Sequence, residues 1–458
     1  MMDMVLEFAV LAASAIALLV FAIYALRVSS PRQGTVEWIH MLEPKTFAWA
    51  RHEVRLDRKD GIFLGVFALL FGGIHGLGLM LGSSLPVAAP LVYELSAEPS
   101  AARLVYFLGN LQLTSPNGPL IVLIILSIFT LSALYLLARQ MFKARFVAIA
   151  TVLVFAADFI RYADPLGGSV YLLALLFLIL ALWQFYRYLS QEDEVPLLRS
   201  LIPLALSGLA FALAVMFRGT FLLAGGLFGI LFLAEQLMRR TRRRKAGNLA
   251  EYSGFTLKSI LAFVVLFVLL PIGLYMLQYA FFATFAGGII APIRQLYHTL
   301  IGYNISVQPG ASYPFSWLIN ISPVVPVTHG RTVLLLTNPM LLWGGLLTLL
   351  AMPFAWVRRK DGRAIFALLG FLVTTIPLVA MHNPLPHGAF LPGLLFLALS
   401  IGYAFDHVYE RKHTGFRGMI LLFVVLALVV FLLFFGAFTA LGAPGIWHDL
   451  LRWLPTWR

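Results

Sequence analysis

Cysteine is absent from this 458-residue chain, which removes disulfides, haem thiolates and thiolate zinc sites and leaves the redox compartment open. Charge is scarce too: 12% of residues are Asp, Glu, Lys or Arg against 61% hydrophobic, a balance far outside that of soluble domains. No stretch alternates apolar and polar over the roughly ten residues of a barrel strand, so a membrane β-barrel is excluded. The sequence has no Gly-x-x-x-x-Gly-Lys-Ser/Thr loop, no Gly-x-Ser-x-Gly elbow and no His-Glu-x-x-His helix. Nucleotide-driven transport, serine hydrolysis and zinc proteolysis thereby lose their usual supports. Short-period repeats, low-complexity tracts and a soluble domain are missing as well.

What remains is a series of long apolar runs. A hydrocarbon core about 30 Å thick needs roughly 20 apolar residues per helix. Such windows fall near 5–26, 61–82, 118–138, 146–160, 168–187, 200–217, 219–237, 258–282, 338–357, 364–381, 388–405 and 418–442. The expectation is an all-α polytopic membrane protein with about twelve transmembrane helices and two larger outer loops. The pair broken by Arg161-Tyr162-Ala163-Asp164-Pro165 is closely coupled, so a re-entrant segment is one alternative there. The first run, Leu6 to Leu26, lacks a basic leading region and a small-x-small cleavage site before Arg27, and reads as a retained helix.

The formal charge of +13 falls between the spans. Segments 27–60, 139–145, 238–258, 358–363 and 411–417 are basic and alternate with 83–117, 161–167, 283–337 and 382–387, which are poor in Lys and Arg. The basic set is therefore expected in the cytoplasm, with both termini outside, in a plasma membrane of prokaryotic type. Clusters such as Arg239 to Lys245 read as topology determinants facing anionic lipid, not as a nucleic-acid surface. Within 36–53, Val36, Ile39, Leu42, Phe47 and Trp49 are interleaved with charge, the pattern of an interfacial helix or a partner-docking surface.

Polar groups at membrane depth are costly and mark candidate sites. Asp158, Arg161 and Asp164 fall at the outer end of the fourth span, and Arg218 interrupts the run between the sixth and seventh. Two readings stand side by side: a cationic site for a phosphate or diphosphate lipid headgroup, or internal Arg–Asp pairing that holds helix ends together. The first outer loop offers Glu94 and Glu98, either of which would serve as a general base toward an acceptor hydroxyl if it faced a site. The second offers His298, Gln308, Ser312 and Trp317 among other aromatic and amide side chains, which suit a carbohydrate or an interfacial belt. His382 and His387 flank Asn383-Pro384-Leu385-Pro386 in a further turn, where isolated histidines read as structural and no metal-ligand pattern is evident.

Several stretches taken in order resemble the protein O-mannosyltransferases and related polyprenyl-phosphate-sugar glycosyltransferases of GT-C fold, over roughly residues 55 to 410. ALYLLARQMF at 133–142 is similar to that family's YLLGRRLF helix end, and 158–171 to its short outer turn. GLAFALAVMFR at 208–218 is similar to GLALGLALLTK, with Arg218 in place of the lysine. QPGASYPFSW at 308–317 is similar to a loop of the form HPYASPWWSW, followed by Asn338-Pro339 and Trp343 where the family has NP…W. The resemblance implies three parts: 1–54 as an extra transmembrane helix with an interfacial segment, 55–410 as the GT-C-like domain, and 411–458 as a last helix with an outer tail. It further implies transfer of a sugar, commonly mannose, from a polyprenyl-phosphate carrier to a Ser/Thr hydroxyl at the outer face, with no other cofactor and, weakly, no metal. On that reading Arg161 and Arg218 hold the lipid phosphate, and His298, Gln308, Ser312 and Trp317 belong to the sugar or acceptor loop.

The departures bear on mechanism. The family's Asp-Glu pair in the first outer loop falls on Tyr93-Glu94, so its presumed base is missing; the histidine opening the later loop is Gln308, and HPPLGK is matched only by SPNGPL at 115–120. Either Glu94 or Glu98 replaces the base in a divergent transferase, or the chain is a catalytically degenerate subunit docking into a larger membrane complex. A lipid-linked-sugar transporter is the third alternative, though internal repeats are missing. The implied partners are membrane lipids, a lipid-linked sugar and other membrane subunits.

Overall fold

The structure is a computed structural model. It describes residues 58–65, 68, 99, 104 and 111, and between 118 and 439 all but 143, 159–164, 192–195, 246–248, 283–289, 291, 295, 298–310, 321–323, 328–330, 335, 381–383 and 411–413. The apolar runs are helices: α1 (Gly118–Met141), α2 (Arg145–Ala156), α3 (Pro165–Leu189), α4 (Leu197–Phe217), α5 (Gly225–Lys245), α6 (Leu249–Val264) and α7 (Leu270–Phe282). After the short α8 (Pro314–Leu318) come α9 (Pro339–Arg359), α10 (Gly362–Ala380), α11 (Leu391–Tyr409) and α12 (Thr414–Thr439). Among the described residues nine helical segments are long and apolar enough to cross a membrane, and α2 is a shorter apolar helix. The chain is an integral, multi-pass membrane protein. The expected spans at 5–26 and most of 61–82 lie outside the described residues.

α2 departs from its expected window of 146–160: its 12 helical residues measure about 18 Å, less than a hydrocarbon core. Pro271 shapes another helix. Its missing N–H and its ring disturb the preceding turn, and the backbone widens into a π segment at Val265–Leu269 between α6 and α7. Residues 255–279 nevertheless serve as one span.

α11 is the hub. In its spanning window 94% of residues are buried inside the protein, against 17% for 255–279, because α2, α9, α10 and α12 all pack around it. Apolar surface gains nothing by leaving lipid for protein, so this packing rests on close fit and on hydrogen bonds between helices. Gly370 of α10 lies flush against the Phe396 ring of α11, where a Cβ has no room. Thr348 of α9 and Ser400 of α11 share a 2.7 Å hydrogen bond across the same core. On the far side α3 packs against α1 and α4, and Ser207 of α4 donates to the Ala181 carbonyl at 2.7 Å.

Successive helices run up and down, so the connections sort to two ends. At the basic end, cations are met by buried carboxylates. Asp60 accepts from Tyr135 Oη at 2.5 Å and Arg145 Nε at 2.7 Å, with Arg139 at 3.6 Å. Glu235 pairs with Arg239 at 2.7 Å and Arg242 at 2.9 Å, and Arg363 with Asp361 at 2.8 Å and Asp406 at 2.5 Å. This revises one expectation. Arg239 is only 2% exposed and donates to the Tyr188 carbonyl at 3.1 Å, so it braces α3 against α5 and is not a lipid-facing charge.

The opposite, loop end also holds short strands. β1 (Ala311–Ser312) pairs antiparallel with β4 (Leu385–Pro386), and β2 (Val324–Val327) with β3 (Arg331–Leu334). Their β-branched composition accounts for the second hairpin. The first is a tertiary pairing of segments more than seventy residues apart, invisible to local pattern.

Candidate functional site at the loop end

Arg218 ends α4 in an extended conformation, φ −145° and ψ 103°, and the chain restarts as a 3-10 turn at Gly219–Ala224 before α5. The expected interruption between two spans is thus a true break in the helix. Its guanidinium lies 4.1 Å from the ring centroid of Tyr171, near the start of α3, within cation–π range. Tyr171 is 7% exposed. Gly388 lies against the same ring: an added Cβ there would meet ring atoms of Tyr171 at 2.5, 2.7 and 2.8 Å. Glycine lets the 387–390 turn approach the ring that carries Arg218.

That turn, a 3-10 segment at His387–Phe390, follows β4 directly. The β1–β4 register, Ala311 opposite Pro386 and Ser312 opposite Leu385, brings the 311–318 segment over it. Trp317, 1% exposed, donates from Nε1 to Ser312 Oγ at 2.7 Å and stacks on His387 at 5.2 Å with the rings 27° apart. Its ring centroid is 5.6 Å from that of Phe390. A buried indole whose N–H is already satisfied braces the segment and offers no open face for a sugar ring. Tyr313 and Phe315 are the exposed aromatics beside it.

A second latch fixes the same segment to the membrane helices. Asn320, at a positive φ of 56°, donates from Nδ2 to the Thr337 carbonyl at 3.0 Å and accepts from Thr337 N at 3.1 Å. Asn338 then caps α9, accepting from Met340 N at 3.0 Å, while its amide donates to the carbonyls of Ala157 at 2.8 Å and Ala427 at 3.0 Å. Asp158 Oδ1 accepts from Asn338 N at 3.1 Å. In this geometry Asp158 joins α2 to α9, which favours the helix-end reading for that residue over headgroup binding.

The sequence-predicted residues thus divide. Arg218, Ser312 and Trp317 come together around the 385–390 turn, whereas Glu94, Glu98, Arg161, His298 and Gln308 lie outside the described residues. Among the described residues no group of three His, Cys, Asp or Glu side chains could hold a metal ion. Tyr171, His387 and Gly388 escaped sequence reasoning as site residues. A tyrosine and a glycine carry no chemical signature of their own, and only the fold makes them neighbours of Arg218.

No protein-family model matches the sequence, and no curated protein matches it. Solved structures do. A chain of the S. cerevisiae protein O-mannosyltransferase Pmt1-Pmt2 complex bound to the sugar donor superimposes with a TM-score of 0.64, covering 88% of this chain and 93% of that one at 11% identity. This protein has a GT-C-like fold. The archaeal oligosaccharyltransferase AglB from Archaeoglobus fulgidus, in complex with an inhibitory peptide and a dolichol-phosphate, aligns less closely: TM-score 0.44, 13% identity, 94% of this chain and 56% of that one. At 11% identity the GT-C likeness lies in the path of the helices, and what this chain's site does rests on its own residues.

Proposed function

We propose that the protein is a membrane glycosyltransferase that moves a sugar, with mannose the first candidate, from a polyprenyl-phosphate carrier to a hydroxyl acceptor at the loop end. The observation that carries the proposal is Arg218. A guanidinium seated on Tyr171 at a helix break, at the end of the bundle where a lipid carrier would present its phosphate, is a planar donor fork matched to phosphate oxygens. The O-mannosyltransferase-like frame supports the same reading.

In the reaction the acceptor oxygen bonds to the anomeric carbon as the bond from that carbon to the carrier phosphate oxygen breaks. The acceptor proton passes to a base, and the pair of electrons leaves on the phosphate. Arg218, with Arg161 as a second contact, stabilises that developing charge. Glu94 or Glu98 takes the proton. On this reading the loop carrying His298, Gln308, Ser312 and Trp317 borders the sugar or acceptor, and the Trp317–Ser312 hydrogen bond braces its 312–317 part.

One observation favours a second reading: Tyr93 stands where the resembled family has its Asp, so the fold would persist as a docking subunit of a larger complex. Purification from the native membrane, mass spectrometry of co-purifying chains and a transfer assay with polyprenyl-phosphate sugars separate the two. Transfer that is lost in Glu94→Gln or in Glu98→Gln, with carrier affinity weakened about 10- to 100-fold by Arg218→Ala, supports the enzyme. A stoichiometric complex with no transfer defeats it.

A further inference from the structure

His387 is a buried polar group that the described residues leave unserved. It is 4% exposed, and among the described residues neither Nδ1 nor Nε2 has a hydrogen-bond partner. Buried polar atoms are nearly always paired, so an imidazole with both nitrogens idle is an exception that asks for a ligand. Its position is that of the candidate site. The next residue, Gly388, abuts Tyr171, whose ring carries Arg218. Trp317 covers the face of the imidazole, so hydrogen bonds can form only at the ring edge. The Trp317 N–H is already given to Ser312 and does not compete for the imidazole.

The two idle atoms restrict the ligand's chemistry. A neutral imidazole presents one N–H and one lone pair. A phosphate oxygen accepts only, so it would satisfy the first and oppose the second. Hydroxyl groups donate as well as accept, and a polyhydroxylated ring can meet both edges.

We infer that His387 is a specificity-determining residue whose imidazole hydrogen-bonds hydroxyls of the sugar on the carrier, while Arg218 takes the phosphate. This rests on the glycosyltransferase reading above and adds to it the part of the protein that reads the sugar. Entry of the sugar requires the covering 311–318 segment to lift, which parts the two-residue β1–β4 pairing.

The test is the preference of the intact protein, in lipid nanodiscs, for polyprenyl-phosphate mannose over bare polyprenyl phosphate, measured with His387→Phe, His387→Gln and Arg218→Ala. Phenylalanine keeps the ring's shape and stacking on Trp317 but has no polar edge. The preference falls about tenfold or more in His387→Phe, as expected for one or two buried hydrogen bonds, while binding of the bare carrier is unchanged. His387→Gln, with a donor and an acceptor, recovers part of it, and Arg218→Ala weakens both lipids alike. If His387→Phe binds both lipids as wild type does, the inference is overturned and the phosphate site stands; a raised melting temperature in that variant would show that the nitrogens were merely stranded. If wild-type protein binds neither lipid, the function proposed above falls and the inference with it.

Discussion

Gly388→Ala is the smallest change that reaches the candidate site without touching its charged group. The added methyl would sit 2.5 Å from Tyr171 Cδ2, 2.7 Å from Cγ and 2.8 Å from Cε2. Non-bonded carbons settle at about 3.5–4.0 Å, so the ring or the turn must give by about 1 Å. Tyr171 is buried, and Arg218 lies 4.1 Å from its ring centroid, so a shift of the ring is expected to move the guanidinium. Overpacking of this kind costs about 1–3 kcal/mol. If Arg218 holds the carrier phosphate as proposed, a displacement of about 1 Å in its guanidinium lowers the transfer rate by up to about 100-fold. Thermal unfolding in detergent gives the first quantity, and the transfer rate with polyprenyl-phosphate mannose gives the second. Gly229→Ala and Gly273→Ala are the controls, since a Cβ at either meets nothing within 4 Å, and both should match or slightly exceed wild-type stability. A Gly388→Ala protein that melts and transfers like wild type would refute the claim that the 387–390 turn positions Arg218 through Tyr171.

Asn338→Ala removes the cap on Met340 N and the donors to the Ala157 and Ala427 carbonyls, and should destabilise the protein by about 2–4 kcal/mol. Asn338→Ser, which keeps a capping oxygen, should recover about 1 kcal/mol of that in the same melting assay. Because the chain has no cysteine, single cysteines report sidedness without background. With the basic end in the cytoplasm, Tyr313→Cys reacts with an impermeant maleimide in intact cells and Arg244→Cys only after permeabilisation; the reverse pattern overturns the orientation.

Much of the fold was legible because bilayer thickness and hydrogen bonding leave a membrane chain few choices. Each of the ten expected windows from 118–138 to 418–442 coincides with helix among the described residues, but the limits differ at several: the 146–160 helix ends at Ala156, the 219–237 run opens as a 3-10 turn and continues to Lys245, and the 258–282 run begins at Leu249. The resemblance carried by 133–142, 208–218 and 308–317 pointed to the GT-C-like frame that the structural comparison shows. The site was legible only in part. Arg218 stood out because a cation inside an apolar run is expensive, and Trp317 because of its motif. The 385–390 turn was marked only by two histidines flanking Asn383-Pro384-Leu385-Pro386, which read as structural, and the motif that singled out Trp317 could not say that its indole is buried. Asp158 illustrates the same limit: its cost was visible, but its partner, the backbone N–H of Asn338, lies 180 residues away.

By itself the sequence determined a membrane-embedded helical chain, the sorting of basic and neutral connections to opposite ends, and the break at Arg218. Each of these follows from the free energy of a residue in hydrocarbon or at its boundary, a property of composition read along the chain. Only the tertiary structure decided that Tyr171 supports Arg218, that Gly388 makes room for that ring, that Trp317 closes over His387, and that Asp158 and Asn338 lock helix ends. Those pairings depend on which helices lie side by side, and close fit and interhelical hydrogen bonds decide that, since hydropathy cannot tell one apolar neighbour from another.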